Sequence, residues 1–236
     1  MFRKELLYYF TTPVAYIVIG LYLLIIFLFL WVIPGEWNII DSGYSQVDGL
    51  FRLSPWLFLF MCPALTMRLF SEERQNGTWD LLRTKPISLH RIVIAKFMAA
   101  WVLVVISISA CLIHYMAVYF IAEPVGNIDS AAFFAAFFGL MLISLSFIAI
   151  GTFASSFSTN QIVCFILSVI ACAFFYYGFD LLASLFHDSA TVTFIEHIGG
   201  YQHFLSISRG VIEIKDLAYF LIVAVFFLSS TIYKLK

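Results

Sequence analysis

Three histidines and two carboxylates near the C-terminal end form the group most able to bind a metal ion. His187, His197 and His203 lie near Asp188 and Glu196 in the sequence, and imidazole and carboxylate groups are common metal ligands. The spacings of ten and six residues between the histidines match no recognised ligand pattern. We therefore interpret this stretch as an ordinary polar cap, with a metal site as the alternative.

An adjacent pair of carboxylates, Glu72 and Glu73, lies in the most charged stretch of the chain. Intramembrane prenyl-protein proteases also carry paired glutamates, but their EExxxR pattern requires an arginine where this chain has Gly77. The sequence contains neither a GxSxG motif nor an HExxH motif, which are signatures of two large hydrolase groups. An intramembrane enzyme is therefore an alternative that no motif supports.

The sequence also lacks the common motif for nucleotide binding. The chain has no GxxxxGK[ST] loop, the arrangement in which backbone amides and a lysine hold nucleotide phosphates. We therefore predict no catalytic residue and no bound cofactor in this chain. If ATP and Mg²⁺ are used, they bind to a different subunit.

The composition indicates that this chain lies mainly in a membrane. Of its 236 residues, 63% are hydrophobic and 11% are charged, whereas soluble domains have about 25% charged residues. A span takes about 20 apolar residues, so the length fits six spans without a sizeable soluble domain. The net charge of −1 provides no positive field for nucleic acid. Four cysteines lie in apolar runs and are interpreted as core residues: Cys62, Cys111, Cys164 and Cys172.

Caps and prolines mark where the spans begin. Thr12 before Pro13, and Ser54 before Pro55, are signals that predict helix starts. The first dozen residues place apolar and charged side chains on separate faces, which predicts a helix in the membrane interface. The predicted fold class is an all-α polytopic membrane protein with one domain over 1–236. It comprises an interfacial helix at 1–12, six spans at about 13–33, 56–69, 92–120, 131–154, 161–182 and 217–233, and a charged segment at 70–91.

Two ionisable residues lie within the predicted spans. His114 is inside the third span and Asp180 is near the end of the fifth. Charged groups are costly in lipid, which favours a functional role for them; the alternative is that each forms local hydrogen bonds. For Asp180, its place near a span end favours the local explanation. Gly151 and Ser155, four residues apart, favour either close approach of another helix or ordinary core packing.

The 70–91 segment is predicted to form two short helices separated by a tight break. Gly77 is a suitable residue to end the first helix, and Thr78 is a suitable cap for the second. Asp80 falls in the first turn, where a negative charge complements the helix dipole. Pro86 then ends the second helix.

Apolar side chains are interspersed among the charges of the 70–91 segment, although a plain connector does not need them. Such side chains favour docking onto a partner that delivers force to the segment. Packing into the membrane interface or into the bundle is the alternative. The side chains are Phe70, Trp79, Leu81, Leu82, Ile87 and Leu89.

Positive charges are distributed unequally between the two predicted sides of the membrane. Ten of the thirteen lysines and arginines flank one side, and cytoplasmic flanks are enriched in these residues. We therefore predict that both termini and the 70–91 segment are cytoplasmic. The ten residues are Arg3, Lys4, Arg68, Arg74, Arg83, Lys85, Arg91, Lys96, Lys234 and Lys236, and the other three are Arg52, Arg209 and Lys215.

The run FSEERQNGTWDLLRTKPISLHRIVIAKF resembles the signature of ABC-2 type transport permeases. The six-span layout and the N-terminal helix extend this resemblance over the whole chain. Within the family, the opening FRKELLYYFTTPVAYIVIG is most similar to the permease subunit of bacterial gliding-motility transporters, followed by the permease for nitrous-oxide reductase maturation. The matching signature residues are Glu72, Glu73, Gly77, Thr78, Leu81, Leu82, Pro86, Ile87, Ser88 and Lys96.

The resemblance implies an inner-membrane permease subunit of a bacterial ABC transporter. It implies a separate cytoplasmic ABC ATPase, which binds ATP and Mg²⁺, and a second permease that is identical or related. The gliding-motility likeness further implies a larger membrane subunit with an extracytoplasmic domain. The residues expected to couple the chain to the ATPase are Phe70, Glu72, Glu73, Gly77, Thr78, Trp79, Leu81, Leu82 and Pro86.

An alternative hypothesis is that the chain works with the same ATPase but does not move a solute. The chain is then a membrane scaffold or a mechanical transmitter that drives a partner outside the cell. The scarcity of charge within the spans favours this reading, because a path for a polar solute usually has a polar lining.

Overall fold

A computed structural model describes residues 1–44, 46–84, 87–186 and 188–236, and within these ranges the chain is helical and contains no strand. The predicted break at Pro86, the positive charge at Lys85 and the histidine at position 187 lie outside the described residues. Two π-helical turns, Leu28–Val32 and Phe174–Gly178, continue the helices that end at Phe27 and Ala173. The helices are α1 Phe2–Thr11, α2 Pro13–Phe27, α3 Ile39–Ser42, α4 Asp48–Thr66, α5 Ser71–Gln75, α6 Thr78–Arg83, α7 Leu89–Ala110, α8 Leu112–Ile121, α9 Ser130–Ser155, α10 Gln161–Ala173, α11 Phe179–Ala183, α12 Ser189–Glu196, α13 Gly200–Ser208 and α14 Ile214–Leu235.

Six helical stretches of the described chain are long and apolar enough to cross a membrane. This confirms the predicted all-α architecture with six spans. The stretch interpreted as a polar cap contains the short helices α12 and α13. The six stretches are Pro13–Val32, Asp48–Gln75, Leu89–Ile121, Ser130–Ser155, Gln161–Ala183 and Ile214–Leu235.

The second span begins earlier than the sequence predicted. Helix α4 starts at Asp48, and Pro55, which was expected near the helix start, lies inside it. The residues ahead of the proline include Leu50 and Phe51, which are buried in the bundle and hold this part of the chain helical. Neighbouring helices compensate for the backbone hydrogen bond that a proline removes from a membrane helix. The predicted start at residue 56 was therefore wrong by two turns.

The predicted third span consists of two helices. Helices α7 and α8 are separated at Cys111, yet the whole stretch remains long enough to cross the membrane. The second span continues past Thr66 through turns that lead directly into α5.

Helix α9 is at the centre of the bundle and contacts α4, α7, α10, α13 and α14. At Gly151, a Cβ atom would lie 2.1 Å from the Thr66 hydroxyl oxygen, so only glycine lets α4 approach this closely. Ser155, one turn later, is fully buried. The predicted close approach is therefore real and lies within the subunit. The four cysteines are buried and free, as expected of core residues.

Polar contacts connect the segments at one end of the bundle. The guanidinium of Arg74 donates to the carbonyl oxygen of Ser156 at 2.7 Å, and the Lys234 ammonium lies 5.0 Å from the centre of the Phe157 ring. Helix α1 joins them, because the Tyr9 hydroxyl donates to the Leu65 carbonyl oxygen at 2.7 Å. We call this end, with α1, α5 and α6, the charged face. The other end, with α3, α12 and α13, is the opposite face.

Candidate coupling site

The glycine break of the 70–91 segment has the predicted conformation. Gly77 has a φ of +68° and separates α5 from α6, and only glycine adopts this left-handed conformation routinely. Gly77 itself occupies the cap position of α6, so the prediction of Thr78 as the cap was wrong by one residue. The Thr78 hydroxyl instead donates to the Glu73 carbonyl oxygen at 3.2 Å, which closes the end of α5. Asp80 lies in the first turn of α6, as predicted.

A buried lysine connects three elements at the charged face. Lys96, near the start of α7, is only 3% exposed. Its ammonium lies 2.8 Å from the Glu73 Oε1 atom of α5 and 3.2 Å from the Glu5 Oε2 atom of α1. A buried charge of this kind requires close counter-charges, because its hydration has been lost. Lys96 therefore holds α1, α5 and α7 in one arrangement.

A second set of contacts uses the neighbouring carboxylate. The Tyr8 hydroxyl donates to the Glu72 Oε1 atom at 2.8 Å, and the Arg68 Nε atom lies 3.3 Å from the Glu72 Oε2 atom. Burial, assisted by the hydrogen bond to Glu72, raises the pKa of the Tyr8 hydroxyl, so it remains a donor. The two adjacent glutamates thus serve as partners in separate ion pairs, each of which also reaches α1.

Sequence reasoning missed the contribution of α1 to this site. Glu5 and Tyr8 are one helical turn apart and contact Lys96 of α7 and Glu72 of α5, respectively, while the apolar side chains of Leu7 and Phe10 are exposed. The feature of the sequence that could have indicated this contribution is Glu5, an acidic residue among apolar ones on a short amphipathic helix. The sequence does not show that its partner is Lys96, which lies 91 residues further along the chain.

The apolar residues of the 70–91 segment divide into two groups. Phe70 is fully buried and Trp79 is 7% exposed, and their rings meet edge to face at 5.6 Å. Leu82 packs partly against the core. Leu81, by contrast, is 66% exposed. Trp79 therefore packs into the bundle, which was the alternative to docking onto a partner. Leu81 is the large apolar side chain of α6 that a partner can reach.

The segment is also held to the connection between the fourth and fifth spans. The Phe70 backbone amide donates to the Ser155 hydroxyl at 3.0 Å, and that hydroxyl donates to the Met67 carbonyl oxygen at 3.3 Å. Arg74 provides the second link, to Ser156. The base of the segment is therefore rigidly attached to α9 as well as to α7.

The remaining ionisable candidates have local partners or lie at the ends of spans. The Trp31 indole nitrogen donates to the Nδ1 atom of His114 at 2.9 Å, so the local explanation accounts for this histidine. Both carboxylate oxygens of Asp180 are buried at the end of the fifth span. His203 contacts Asp216 at 2.6 Å. In the described part of the chain, no three His, Cys, Asp or Glu residues are placed to hold a metal ion.

The fold and this site define a polytopic membrane protein whose second and third spans are joined by an ordered, charge-linked segment. The family model described as ABC-2 family transporter protein matches residues 56–221, about 70% of the chain. The chain therefore belongs to the ABC-2 transporter family and is a membrane-spanning subunit of an ABC transporter. The match includes the 70–91 segment and Lys96 but begins at residue 56, so it does not include α1. No match to a curated protein was found.

Proposed function

We propose that the chain is the permease subunit that converts ATP hydrolysis by a separate ATPase into movement of its spans. The observation that supports this proposal best is the buried ammonium of Lys96, shared by Glu5 and Glu73. This arrangement ties the 70–91 segment to a spanning helix by charge. A push on the segment is therefore transmitted to α7 and α1 together.

The proposed transmission has a receiving part and a rigid part. Helix α6 receives the motion through Leu81 and Asp80, which are both exposed. Gly77 orients α6 relative to α5. Phe70, Trp79 and Arg74 anchor the base of the segment to the bundle. Packed helices move as rigid bodies, so a displacement at the charged face tilts the spans.

The partners and the orientation follow from the same proposal. The ATPase supplies ATP and Mg²⁺ binding, and a second permease, identical or related, completes the transmembrane pathway. The ten-to-three distribution of lysines and arginines supports a cytoplasmic charged face, hence cytoplasmic termini. We place the chain in the bacterial inner membrane. The likeness of its first twenty residues supports a gliding-motility system, which would add a larger membrane subunit.

A second candidate function is mechanical transmission without transport of a solute. The observation that favours it is the position of the buried charges: Lys96 lies near the start of a span, while Asp180 and Asp216 lie near span ends. A polar solute would be expected to need polar groups along its path. ATP-dependent solute flux in vesicles that contain the assembled complex would exclude this candidate.

Recovery and stimulation of the ATPase test the proposed function. The tagged chain is purified in mild detergent, and the bound ATPase is identified and assayed. Leu81→Ala is compared with Ile40→Ala, because Ile40 is 69% exposed on the opposite face and matches Leu81 in size and exposure. We expect Leu81→Ala to weaken association about tenfold, the effect of losing about 1.4 kcal/mol, and Ile40→Ala to leave it unchanged. Equal recovery of both variants would contradict the proposal.

A further inference from the structure

An open groove of about 520 Å³ lies between α9 and α14 at the charged-face end of the bundle. Both helices belong to membrane-spanning stretches. Phe226 and Tyr233 in its wall are 63% and 81% exposed. Because these side chains are exposed on a spanning helix, the groove faces the lipid. The groove is lined by Phe153, Phe226, Ser229, Ser230, Tyr233 and Lys234.

The α14 wall of the groove changes from apolar to charged along the helix axis. Phe226, Ser230 and Lys234 are each four residues apart, which places them on one face of the helix at steps of about 6 Å. The apolar ring is nearest the middle of the span, the hydroxyl follows, and the ammonium is near the helix end. A phospholipid carries acyl chains, ester oxygens and a phosphate in the same order. The groove therefore matches a phospholipid in polarity along its length.

The ammonium of Lys234 closes the polar end of the groove. It lies 5.0 Å from the centre of the Phe157 ring, and this contact holds it across the groove towards the end of α9. Within the described chain Lys234 belongs to no ion pair, whereas Lys96 and Lys215 both do. Lys234 is also exposed. An accessible positive charge that is held in place without a counter-charge favours an anionic ligand.

A hydroxyl deeper in the groove also lacks a partner. The Ser230 hydroxyl donates to the Phe226 carbonyl oxygen at 2.8 Å, but Ser229 forms no hydrogen bond with a described residue. Ser229 is exposed on the spanning part of α14, where hydrocarbon provides no water to pair with a hydroxyl. An ester carbonyl oxygen of a lipid can accept this hydrogen bond. Both unpartnered groups are therefore accessible and suited to one phospholipid.

We propose that this groove binds an anionic phospholipid, such as phosphatidylglycerol. The Lys234 ammonium binds the phosphate, the Ser229 hydroxyl donates to an ester carbonyl oxygen, and an acyl chain packs against Phe153 and Phe226. No carboxylate lines the groove, so the positive charge of Lys234 is not neutralised there and attracts a lipid of net negative charge. Ethanolamine and choline headgroups add a positive group that Lys234 repels. This inference goes beyond the proposed function and can be tested without any ATPase.

Native mass spectrometry of the purified full chain in detergent tests the proposal. Phosphatidylglycerol, phosphatidylethanolamine and phosphatidylcholine with identical acyl chains are each titrated. We expect the first lipid to bind about fivefold more tightly than the other two, the effect of one lysine next to an anionic lipid. Equal binding of all three would overturn the proposal. Displacement of phosphatidylglycerol by an equal concentration of soluble glycerophosphoglycerol would overturn the assignment to a lipid.

Variants at exposed positions locate the site on α14. Lys234→Gln should abolish the preference for phosphatidylglycerol, whereas Lys234→Arg retains the charge and should keep the preference. Lys215→Gln is the matched control, because Lys215 is an exposed lysine at the other end of the same helix. Ser229→Ala should weaken all three lipids severalfold without changing the preference. A preference that persists in Lys234→Gln, or wild-type binding of all three lipids to Ser229→Ala, would overturn the proposal.

Discussion

The charged face and the opposite face each attach a peripheral helix to a span through a buried charged residue. At the charged face, Lys96 is neutralised by carboxylates from two separate elements. At the opposite face, His203 of α13 pairs with Asp216 of α14 alone. By ion pairs, the first arrangement links three elements and the second links two. Under the proposed function, movement spreads from the charged face, whereas the pair at the opposite face acts as a local clamp.

The clamp at the opposite face is satisfied by hydrogen bonds on both ring nitrogens. The Nε2 atom of His203 lies 2.9 Å from the His197 carbonyl oxygen, and because a carbonyl only accepts, Nε2 carries a hydrogen. Nδ1 lies 2.6 Å from the Asp216 Oδ1 atom. Whichever of these two atoms holds the remaining proton, the pair has no net charge. The ring also stacks on Tyr219, with ring centres 4.1 Å apart.

Removal of the lysine charge should produce the largest effect and the clearest difference between the faces. Lys96→Met leaves two carboxylates without their counter-charge, and removing one partner from a buried pair costs about 3–5 kcal/mol. The control is Lys215→Met, because Lys215 pairs with Glu213 at the surface of the opposite face, where such pairs contribute about 0–1 kcal/mol. Denaturant midpoints in detergent measure both. Similar midpoints for the two variants would show that the Lys96 network does not hold the charged face together.

Truncation of the buried tryptophan should have the next largest effect. Trp79→Ala removes a ring that packs against Phe70, and truncating a core aromatic side chain costs about 3 kcal/mol. The matched variant is Trp37→Ala, because Trp37 is 37% exposed on the opposite face and should lose much less. Thermal unfolding in detergent measures the difference. A Trp79→Ala chain with wild-type stability would mean that Trp79 is free to reach a partner after all.

Two substitutions of Asp216 should show whether the clamp at the opposite face requires a negative charge or only a hydrogen-bond partner for His203. In Asp216→Asn, the amide can still donate to Nδ1 of a neutral His203, so we expect a loss below about 1 kcal/mol. Asp216→Leu removes that partner and should cost about 1–3 kcal/mol, the range for a buried group left unsatisfied. Unfolding of the two variants, measured side by side, checks this order. If Asp216→Asn is as damaging as Asp216→Leu, the carboxylate charge itself is required, and the two faces are more alike than we infer.

The smallest effect on stability is expected at the glycine break. Gly77→Val forces a side chain into a left-handed conformation at a cost of about 1–2 kcal/mol, although no atom lies within 4 Å of the new Cβ. Gly20→Val is the control, because its Cβ also meets open space but Gly20 lies within α2 without a positive φ. We expect both chains to insert normally, but only Gly77→Val to lose stimulation of the ATPase. Full stimulation by Gly77→Val would contradict a hinge at this position.

The features that the sequence predicted are those encoded within one stretch of chain. Apolar runs of about 20 residues are enough to identify six spans, and a glycine between two polar helical stretches is enough to predict the break at Gly77. The start of the second span was not predictable, because only packing shows that Leu50 and Phe51 are buried. The pairing of Glu5 with Lys96 joins residues 91 positions apart, and no periodicity within one helix can indicate it. The sequence left the burial of Trp79 as an alternative to docking, and only its packing against Phe70 decides between the two.

The contact between α6 and the ATPase is the central claim of this account, and site-specific crosslinking tests it most directly. The four native cysteines are buried, so we expect them to react little with a crosslinker. A cysteine introduced at an exposed position therefore gives the main crosslinking signal. Leu81→Cys and Ile40→Cys are matched in exposure at the two faces. In the purified complex, we predict that Leu81→Cys forms a crosslink to the ATPase whose yield changes when ATP is added, and that Ile40→Cys forms none. An intact complex that gives no crosslink at Leu81→Cys, or that gives one at Ile40→Cys, would contradict the account.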